Sequence, residues 1–528
     1  MDRRLIRFFG TAAVFCALPL AFGAACDSLT SLALPDTSIT LAKAVPAGSF
    51  KPAGGQAINN MPAFCQVHGI IKPTPVSAIH FEVWLPAAGW NGKLQTVGNG
   101  GLAGTISFAA MATALRTGFA TTSTDTGHTA EEPHEWLQNR DRLIDYSYRG
   151  LHLTTVNAKA ISDAFYGQAP KQAYYSGCST GGKQGLMEAQ RFPADFDGIV
   201  AGDAANFWTH QMMGEVWNGV VTSTPETNLS EEKLKLVQDA VLEQCDALDG
   251  VKDGLIADNR RCTFDPKILL CKGADTSGCL TAAQVGAVAK IYSGPVNPRT
   301  GAKMYAGMYP GGEVGWGGGG RPAVINRPGT SSGVSSYDFM RYALFGNPAW
   351  QFRTFDFDKD AQALEEKFAG LTNAMETNLE EFRKMGHKLF YYHGTSDPLI
   401  PAQNGIDYYE RVVASQGKGG KNGLEQTQTF FRVFLVPGLY HCAGGPGPSG
   451  FGTSSPASQM DAEHDAISSV SRWAEKGIAP EKIIATKYVE NTPAKGIAMQ
   501  RPLCAWPLAA RYKGTGDTND ATNFACVR

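Results

Sequence analysis

The sequence lacks an excess of charge of either sign, since 47 lysines and arginines stand against 49 aspartates and glutamates. This balance, without any basic run, gives no electrostatic basis for a nucleic-acid partner. After residue 22 the chain also lacks an apolar run of the ~20 residues that a membrane-spanning helix needs. It contains no Cys-x-x-Cys pair, which disfavours a zinc site. We therefore expect no nucleic acid, no membrane and no zinc among its partners.

The N-terminus has the three regions of a secretory signal peptide. Three arginines lie in the first seven residues, an apolar run covers Phe8 to Phe22, and Gly23-Ala24-Ala25 supplies small residues before Cys26. The apolar run is short for a membrane anchor. Lipidation of Cys26 is a minor alternative, because Gly23 stands where an aliphatic residue is usual. Residues 1–25 are predicted to be a cleaved signal peptide, which makes the protein secreted or periplasmic.

Ten cysteines remain after the one in this segment, Cys16. They are Cys26, Cys65, Cys178, Cys245, Cys262, Cys271, Cys279, Cys442, Cys504 and Cys526. An even number in an exported chain predicts disulfides, although the count does not give their connectivity. On separation alone, 245/262, 271/279 and 504/526 are plausible pairs.

The segment Gly177-Cys178-Ser179-Thr180-Gly181 fits G-x-S-x-G, the turn that carries a nucleophilic serine. An ordinary glycine-rich loop is the alternative, since the chain has 60 glycines. The context favours the nucleophile, because a predicted strand, Gln172 to Ser176, precedes the turn and a predicted helix, Lys183 to Arg191, follows it. Ser179 is the predicted nucleophile.

The rest of the chain alternates strands and helices up to Asp203, with a strand at Lys93 to Val97, and strand signals then become sparse until about Asn373. This rhythm predicts a doubly wound, mostly parallel α/β sheet with a large insertion. We predict a first sheet part at 26–203, a lid domain at 204–375 and a second sheet part at 376–528.

Two further residues follow strands predicted in the last part. Asp397 comes after Lys388 to Gly394, and His441 comes after Thr429 to Val436. Ser179, Asp397 and His441 thus occur in the chain order of the α/β-hydrolase triad. His441 is predicted to be the base that deprotonates the serine, and Asp397 to orient it.

Two other features adjoin this constellation. Cys178 precedes the serine and Cys442 follows the histidine, so a bridge between them would hold the two catalytic residues together. Cys178 as a thiol nucleophile is the weaker alternative, because it leaves Ser179 unexplained. The glycine-rich turn of residues 98–104 matches a weak dinucleotide pattern, but we expect it to present a backbone N–H to an oxyanion.

The predicted lid contains an acidic segment from Asp246 to Leu255. Three carboxylates within eight residues, with glycines between them, are able to wrap a hard cation, and the spacing is not that of an EF-hand. A solvated acidic turn is an equally good interpretation of the spacing alone.

With Cys178-Ser179, Asp397 and His441-Cys442 in place, the sequence resembles the tannase and feruloyl esterase family, which also contains mono(2-hydroxyethyl) terephthalate hydrolase. The resemblance covers nearly the whole mature chain and implies the α/β-hydrolase fold with an inserted lid. It implies the disulfides Cys178–Cys442, Cys26–Cys65, Cys245–Cys262, Cys271–Cys279 and Cys504–Cys526. It also implies a structural calcium ion, held by the side chains of Asp246, Asp249 and Asp253 and the carbonyls of Val251 and Leu255, and no organic cofactor.

The same resemblance implies a function. The expected enzyme is a secreted serine esterase that cleaves esters of hydroxycinnamic or gallic acids, including those attached to plant polysaccharide or polyphenol. The N–H groups of Thr180 and Gly101 would form the oxyanion hole, and His393 and Ile400 are guesses for substrate contact. A gallate-specific tannase, a terephthalate monoester hydrolase and a calcium-stabilised binding protein on a hydrolase fold are the alternatives.

Overall fold

The computed structural model describes residues 25–317, 335–417 and 422–528. The predicted signal peptide, except Ala25, lies outside these residues, as does most of the glycine-rich loop after Trp316. None of the helices in the described segments is long and apolar enough to cross a lipid bilayer.

The strands and helices alternate as the sequence pattern indicates. The strands are β1 (Thr37–Val45), β2 (Gly48–Phe50), β3 (Ile58–Met61), β4 (Phe64–Ile71), β5 (Ile79–Pro86), β6 (Lys93–Val97), β7 (Ala120–Thr124), β8 (Gln172–Cys178), β9 (Gly198–Gly202), β10 (Lys388–Gly394), β11 (Phe431–Val436), β12 (Lys482–Tyr488), β13 (Ile497–Cys504), β14 (Ala509–Tyr512) and β15 (Phe524–Val527). The α-helices are α1 (Phe108–Arg116), α2 (Arg140–Ile144), α3 (Gly150–Tyr166), α4 (Thr180–Arg191), α5 (Trp208–Val221), α6 (Glu231–Cys245), α7 (Ala282–Ser293), α8 (Ser335–Asp338), α9 (Lys359–Thr372), α10 (Glu380–Lys384), α11 (Ala402–Gln416), α12 (Gly423–Gln428) and α13 (Ala466–Lys476).

Nine strands form one sheet in the order β1-β4-β5-β7-β6-β8-β9-β10-β11. The first four of these pair antiparallel, and the six from β7 to β11 in this order pair parallel. Leu186 of α4 and Ile406 of α11 pack in the core on one face, whereas Ala114 of α1 and Val470 of α13 pack on the other. The sheet is therefore covered by helices on both faces, which gives the α/β-hydrolase fold.

The chain leaves this sheet after β9 and returns to it at β10. Between Gly202 and Lys388 the described residues form helices, turns and irregular segments but no strand. Part of this region has a hydrophobic cluster of its own, in which Leu234, Val241, Ile291 and Trp316 are buried. The region corresponds to the predicted insertion, and the boundaries 204 and 375 remain a prediction.

The helix after Ser179 begins at Thr180, three residues earlier than predicted. Gly181 and Gly182 are poor helix formers, which is why the pattern placed the start at Lys183. Packing overrides this propensity, because a Cβ on Gly182 would lie 2.2 Å from the carbonyl oxygen of Gly202. The glycines therefore let the first turn of α4 pack closely against the end of β9.

Five disulfides join Cys26 to Cys65, Cys178 to Cys442, Cys245 to Cys262, Cys271 to Cys279 and Cys504 to Cys526. These are the five pairs that the resemblance implied. Disulfides persist in oxidising compartments, so this number fits an extracellular protein.

Candidate active site

Ser179 occupies the turn between β8 and α4. Its backbone has a φ of 67° and a ψ of -122°, a conformation that costs a non-glycine residue ~1–3 kcal/mol. The flanking glycines permit the turn, because a Cβ on Gly177 would lie 2.5 Å from the hydroxyl of Tyr175 and one on Gly181 would lie 2.8 Å from the carbonyl oxygen of Asn99. The strained turn places Ser179 at the carboxyl edge of the sheet, as a nucleophile elbow does.

His441 and Asp397 form a hydrogen-bonded pair at the same edge. Nδ1 of His441 lies 2.8 Å from Oδ2 of Asp397. The other carboxylate oxygen, Oδ1, accepts the backbone N–H groups of Leu399 at 2.7 Å and Ile400 at 3.0 Å. Because the neutral imidazole donates through Nδ1 to this carboxylate, its Nε2 is free of a proton and is able to accept one.

The surroundings shift the pKa values of both partners. Burial disfavours the imidazolium of His441, but the carboxylates of Asp397, Asp203 and Glu215 outweigh it and raise the pKa of His441 above its ordinary value. Burial would raise the pKa of Asp397, whereas the facing histidines, His441 and His393, hold it well below its ordinary range. Asp397 is therefore ionised at neutral pH.

One cavity of about 440 Å³ brings the predicted residues together. Ser179, His441 and the glycine turn from Gly98 to Gly101 all line it, and so do both members of the Cys178–Cys442 disulfide. The lining residues also include Val97, Ala110, Val200, Tyr392 and Leu399, which give part of the lining an apolar character. A small ester with an apolar portion fits a cavity of this size and lining.

The disulfide beside the cavity joins two distant parts of the chain. The Cα atoms of Cys178 and Cys442 lie 5.9 Å apart across a sequence separation of 264 residues. Cys178 precedes Ser179 and Cys442 follows His441, so the bridge ties the two turns that carry these side chains.

Thr180 and Gly101, the predicted oxyanion residues, are in direct contact. The hydroxyl of Thr180 donates to the carbonyl oxygen of Gly101 at 2.7 Å, and the hydroxyl of Tyr146 donates to the same oxygen at 3.0 Å. Thr180 is the first residue of α4, where backbone N–H groups lack intrahelical acceptors. The contact holds the glycine turn against the N-terminus of α4, where N–H groups suit an anion.

The two guesses for substrate contact are placed differently from what was expected. The side chain of His393 is 0% exposed and that of Ile400 is 1% exposed, and neither lines the cavity, whereas the neighbouring Leu399 does. Side chains alternate along β10, so His393 and its neighbour Tyr392 point to opposite faces of the strand, and Tyr392 lines the cavity. Contact of His393 and Ile400 with substrate stays a prediction.

The prediction from the sequence missed Asp203. This residue follows β9 and is fully buried, and its carboxylate accepts the backbone N–H of Gly394 at 2.6 Å and that of Cys442 at 2.9 Å. Its position directly after a parallel strand, at the edge where Ser179 and Asp397 also lie, was the available signal.

The acidic segment folds on itself in the insertion. Asp246 accepts the backbone N–H groups of Asp253 and Gly254, Asp249 accepts that of Val251, and Asp253 is paired with Arg501. Burial, together with the charges of Asp253 and Asp246, raises the pKa of Asp249 to about 6. In the described part of the chain, these carboxylates are not among the groups whose ligand atoms lie within 4.8 Å of one another. The donor set nevertheless consists of hard oxygens, which fit calcium.

Comparison with known proteins identifies the same family that the sequence resembles. A family model described as tannase and feruloyl esterase matches residues 65–527. An uncharacterized esterase of Xanthomonas campestris is 40% identical over 96% of this chain and 91% of its own length. A probable feruloyl esterase B-2 of Aspergillus terreus is 32% identical over 96% of both chains.

Solved structures agree with the sequence relatives. The crystal structure of feruloyl esterase B from Aspergillus oryzae is similar with a TM-score of 0.88 and 30% identity, over 96% of this chain and 100% of that chain. The match therefore includes the sheet, the inserted region and the C-terminal part together. The chain belongs to the tannase and feruloyl esterase family and is a carboxylic ester hydrolase with the α/β-hydrolase fold.

Proposed function

We propose that this chain is a serine esterase that releases hydroxycinnamic acids such as ferulate or coumarate from their esters. The observation that carries the proposal is the arrangement of Ser179 on a strained elbow beside the hydrogen-bonded pair of His441 and Asp397. The names of the relatives support a hydroxycinnamic acid as the acyl group, since the family includes feruloyl esterases.

The chemistry proceeds in two half-reactions. The hydroxyl of Ser179 attacks the ester carbonyl carbon while Nε2 of His441 takes its proton, and Asp397 stabilises the imidazolium. The negative oxygen of the tetrahedral intermediate is bound by the N–H groups of Thr180 and Gly101. His441 then protonates the departing alkoxide, which leaves as the alcohol with the ester C–O bond broken. Water attacks the acyl-serine with His441 as base, and the acid and free Ser179 are regenerated.

The residue after the nucleophile bears on the choice of acid. The family resemblance implies glutamate at this position in the terephthalate monoester hydrolase, whereas this chain has Thr180. Thr180 is 1% exposed and its hydroxyl is committed to the carbonyl of Gly101. This difference favours hydroxycinnamate or gallate esters over terephthalate monoesters.

The second part of the proposal is a calcium ion in the insertion. The carboxylates of Asp246, Asp249 and Asp253 and the carbonyls of Val251 and Leu255 would hold it. A bound calcium ion would offset the mutual repulsion of these carboxylates and fix the turn. The ion takes no part in ester hydrolysis and would act on stability.

The third part concerns location and substrate source. Disulfides, together with the signal-peptide pattern of residues 1–25, support secretion or export to a periplasm. An exported esterase of this type would meet its acyl groups on plant polysaccharide or polyphenol.

One comparison of substrates tests the function. Methyl ferulate, methyl gallate and mono(2-hydroxyethyl) terephthalate are supplied to the wild type and to Ser179→Ala under identical conditions. We expect the wild type to turn over methyl ferulate best and the variant to turn over none. Preferential turnover of the gallate or terephthalate ester would show that the enzyme prefers that acid and not a hydroxycinnamic acid. A folded wild type that hydrolyses none of them and is not labelled by a fluorophosphonate would instead be a binding protein.

A further inference from the structure

Two buried side chains, His393 and Asp203, lie directly beside Asp397, and the hydrolysis steps do not use them. The side chains of His393, Asp203 and Asp397 have no solvent-accessible surface. Nε2 of His393 lies 3.6 Å from Oδ2 of Asp397 and 3.8 Å from Oδ1 of Asp203. His393 therefore lies between two carboxylates, one of which orients the ring of His441.

The second carboxylate supports the turn that carries the base. One oxygen of Asp203 accepts the N–H of Cys442 and the other accepts the N–H of Gly394, at the end of β10. Cys442 has a φ of 62°, so the turn is held in a conformation that a cysteine rarely adopts. An ionised Asp203 accepts both bonds, and these bonds fix the backbone on the C-terminal side of His441.

The hydrogen bonds of His393 are compatible with two charge states. Nε2 lies 3.0 Å from the carbonyl oxygen of Ile400. Because a carbonyl only accepts, Nε2 carries a proton. Nδ1 lies 2.7 Å from the hydroxyl of Tyr391, which is able to donate to a neutral ring or to accept from an imidazolium. Hydrogen bonding alone therefore does not decide the charge.

Charge balance favours the imidazolium. Ligand atoms of Asp203, His393 and Asp397 all lie within 4.8 Å of one another. Two buried carboxylates this close do not both ionise without a compensating positive charge. His441 also faces them, but it must be neutral before it accepts the serine proton. Glu215, the further carboxylate that acts on His441, adds negative charge.

We propose that His393 is a positioning residue that remains an imidazolium, and that its charge keeps Asp203 and Asp397 both ionised while His441 is neutral. Only the expected effect on the hydrolysis rate rests on the proposed function; the charge of His393 does not. Burial alone would lower the pKa of His393, but the two carboxylates outweigh it and raise the pKa above the ordinary value. The imidazolium thus acts through Asp397 on the base and through Asp203 on the Cys442 turn.

A direct measurement of the proton tests the proposal without any substrate. The protein is labelled with ¹⁵N-histidine, and the ring signals of His393 are identified as those missing from His393→Gln. We expect both ring nitrogens of His393 to carry protons from pH 6 to pH 8. A singly protonated ring in this range would overturn the proposal. Ring signals that change on addition of EDTA would also overturn it, because a bound metal would then supply the positive charge instead of a proton.

A pair of variants tests the consequence for catalysis. His393→Gln keeps an N–H donor for the carbonyl of Ile400 but removes the charge, whereas Tyr391→Phe removes a hydrogen bond from the same ring and leaves the charge. With methyl ferulate, we expect His393→Gln to lower kcat/KM about tenfold at pH 7 and to move the acid limb of its pH profile upward, by up to about one unit. The reason is that His441 then faces negative charge that is no longer balanced.

The control separates charge from packing. Tyr391→Phe should leave the acid limb within experimental error of the wild type. Equal profiles for both variants, or a uniform loss in His393→Gln with an unmoved acid limb, would mean that the ring acts only as a packed side chain. A wild type without esterase activity would contradict the proposed function but would leave the ¹⁵N result able to decide the charge of His393.

Discussion

The hydroxyl of Thr180 donates a 2.7 Å hydrogen bond to the carbonyl oxygen of Gly101, across a sequence separation of 79 residues. This bond joins the first turn of α4 to the glycine turn after β6. Both ends of the bond belong to residues whose N–H groups are proposed to bind the oxyanion. The spacing of the proposed oxyanion hole therefore depends on a side chain as well as on the backbone.

Replacement of Thr180 by valine should reduce kcat about tenfold for methyl ferulate, because a lost oxyanion contact costs ~10²–10³ and here the turn is loosened but not removed. Thr180→Ser is the matched control, since it keeps the hydroxyl, and it should retain most of the activity. Steady-state kinetics measure both variants. Equal losses in the two variants would mean that the methyl group, and not the hydrogen bond, is needed.

Asp397→Asn should lower kcat by about 10⁴, because an amide no longer fixes the tautomer of His441 or stabilises its imidazolium. The fold should survive, since Oδ1 of the asparagine is still able to accept the N–H of Leu399 and Ile400. Kinetics and a thermal melt check the two statements. A variant with near wild-type kcat would show that another carboxylate orients His441.

Removal of the Cys178–Cys442 bridge by replacing both cysteines with alanine should lower both stability and activity. The bridge spans 264 residues, and loss of a native disulfide typically costs ~2–5 kcal/mol. Alanine replacement of Cys271 and Cys279, which are eight residues apart, is the matched control. The native Cys271–Cys279 bridge closes only a short loop away from the cavity, so its removal should leave kcat unchanged. Unchanged kcat in both double variants would mean that catalysis does not need the Cys178–Cys442 bridge.

The pH profile of kcat/KM should rise through an acid limb that lies above pH 6.5. His441 is the base, so activity requires its deprotonated form, and the neighbouring carboxylates raise its pKa despite burial. Activity is therefore lost as the pH falls through this raised value. Glu215→Gln removes one of those carboxylates and should move the limb to lower pH by a fraction of a unit. A limb that moves upward in this variant would contradict the electrostatic account.

Calcium removal should lower the melting temperature by several degrees, because a ligand bound to the native state alone stabilises it. EGTA should have a much smaller effect on Asp249→Asn, which lacks one proposed ligand. Asp239→Asn is the control, since Asp239 is an exposed carboxylate of the inserted region and is paired with Lys235. Unchanged melting of the wild type with EGTA, and no metal by elemental analysis, would make the segment an acidic turn.

Local patterns in the sequence were enough for much of the architecture. The segments 93–97 and 388–394 were predicted as strands, and β6 and β10 have these bounds. In β10 the signal was a run of apolar and aromatic residues, as buried parallel strands have. The G-x-S-x-G segment located the elbow, since its glycines are required by contacts within and next to that turn.

Other features depended on tertiary structure. Asp203 and His393 are 190 positions apart, and they meet because β9 and β10 are neighbours in the sheet. The ion pair of Asp253 with Arg501 likewise joins two distant segments, the insertion and the C-terminal part of the chain.

The sequence by itself thus indicated the strands that precede Ser179, Asp397 and His441, the elbow at Ser179 and the chain order of these three proposed catalytic residues. Only the tertiary structure decided that His393 is buried between two carboxylates, and that Thr180 holds the turn of Gly101. The physical reason is that strand and turn formation depend on neighbouring residues, whereas burial and charge pairing depend on which distant segments the sheet brings together.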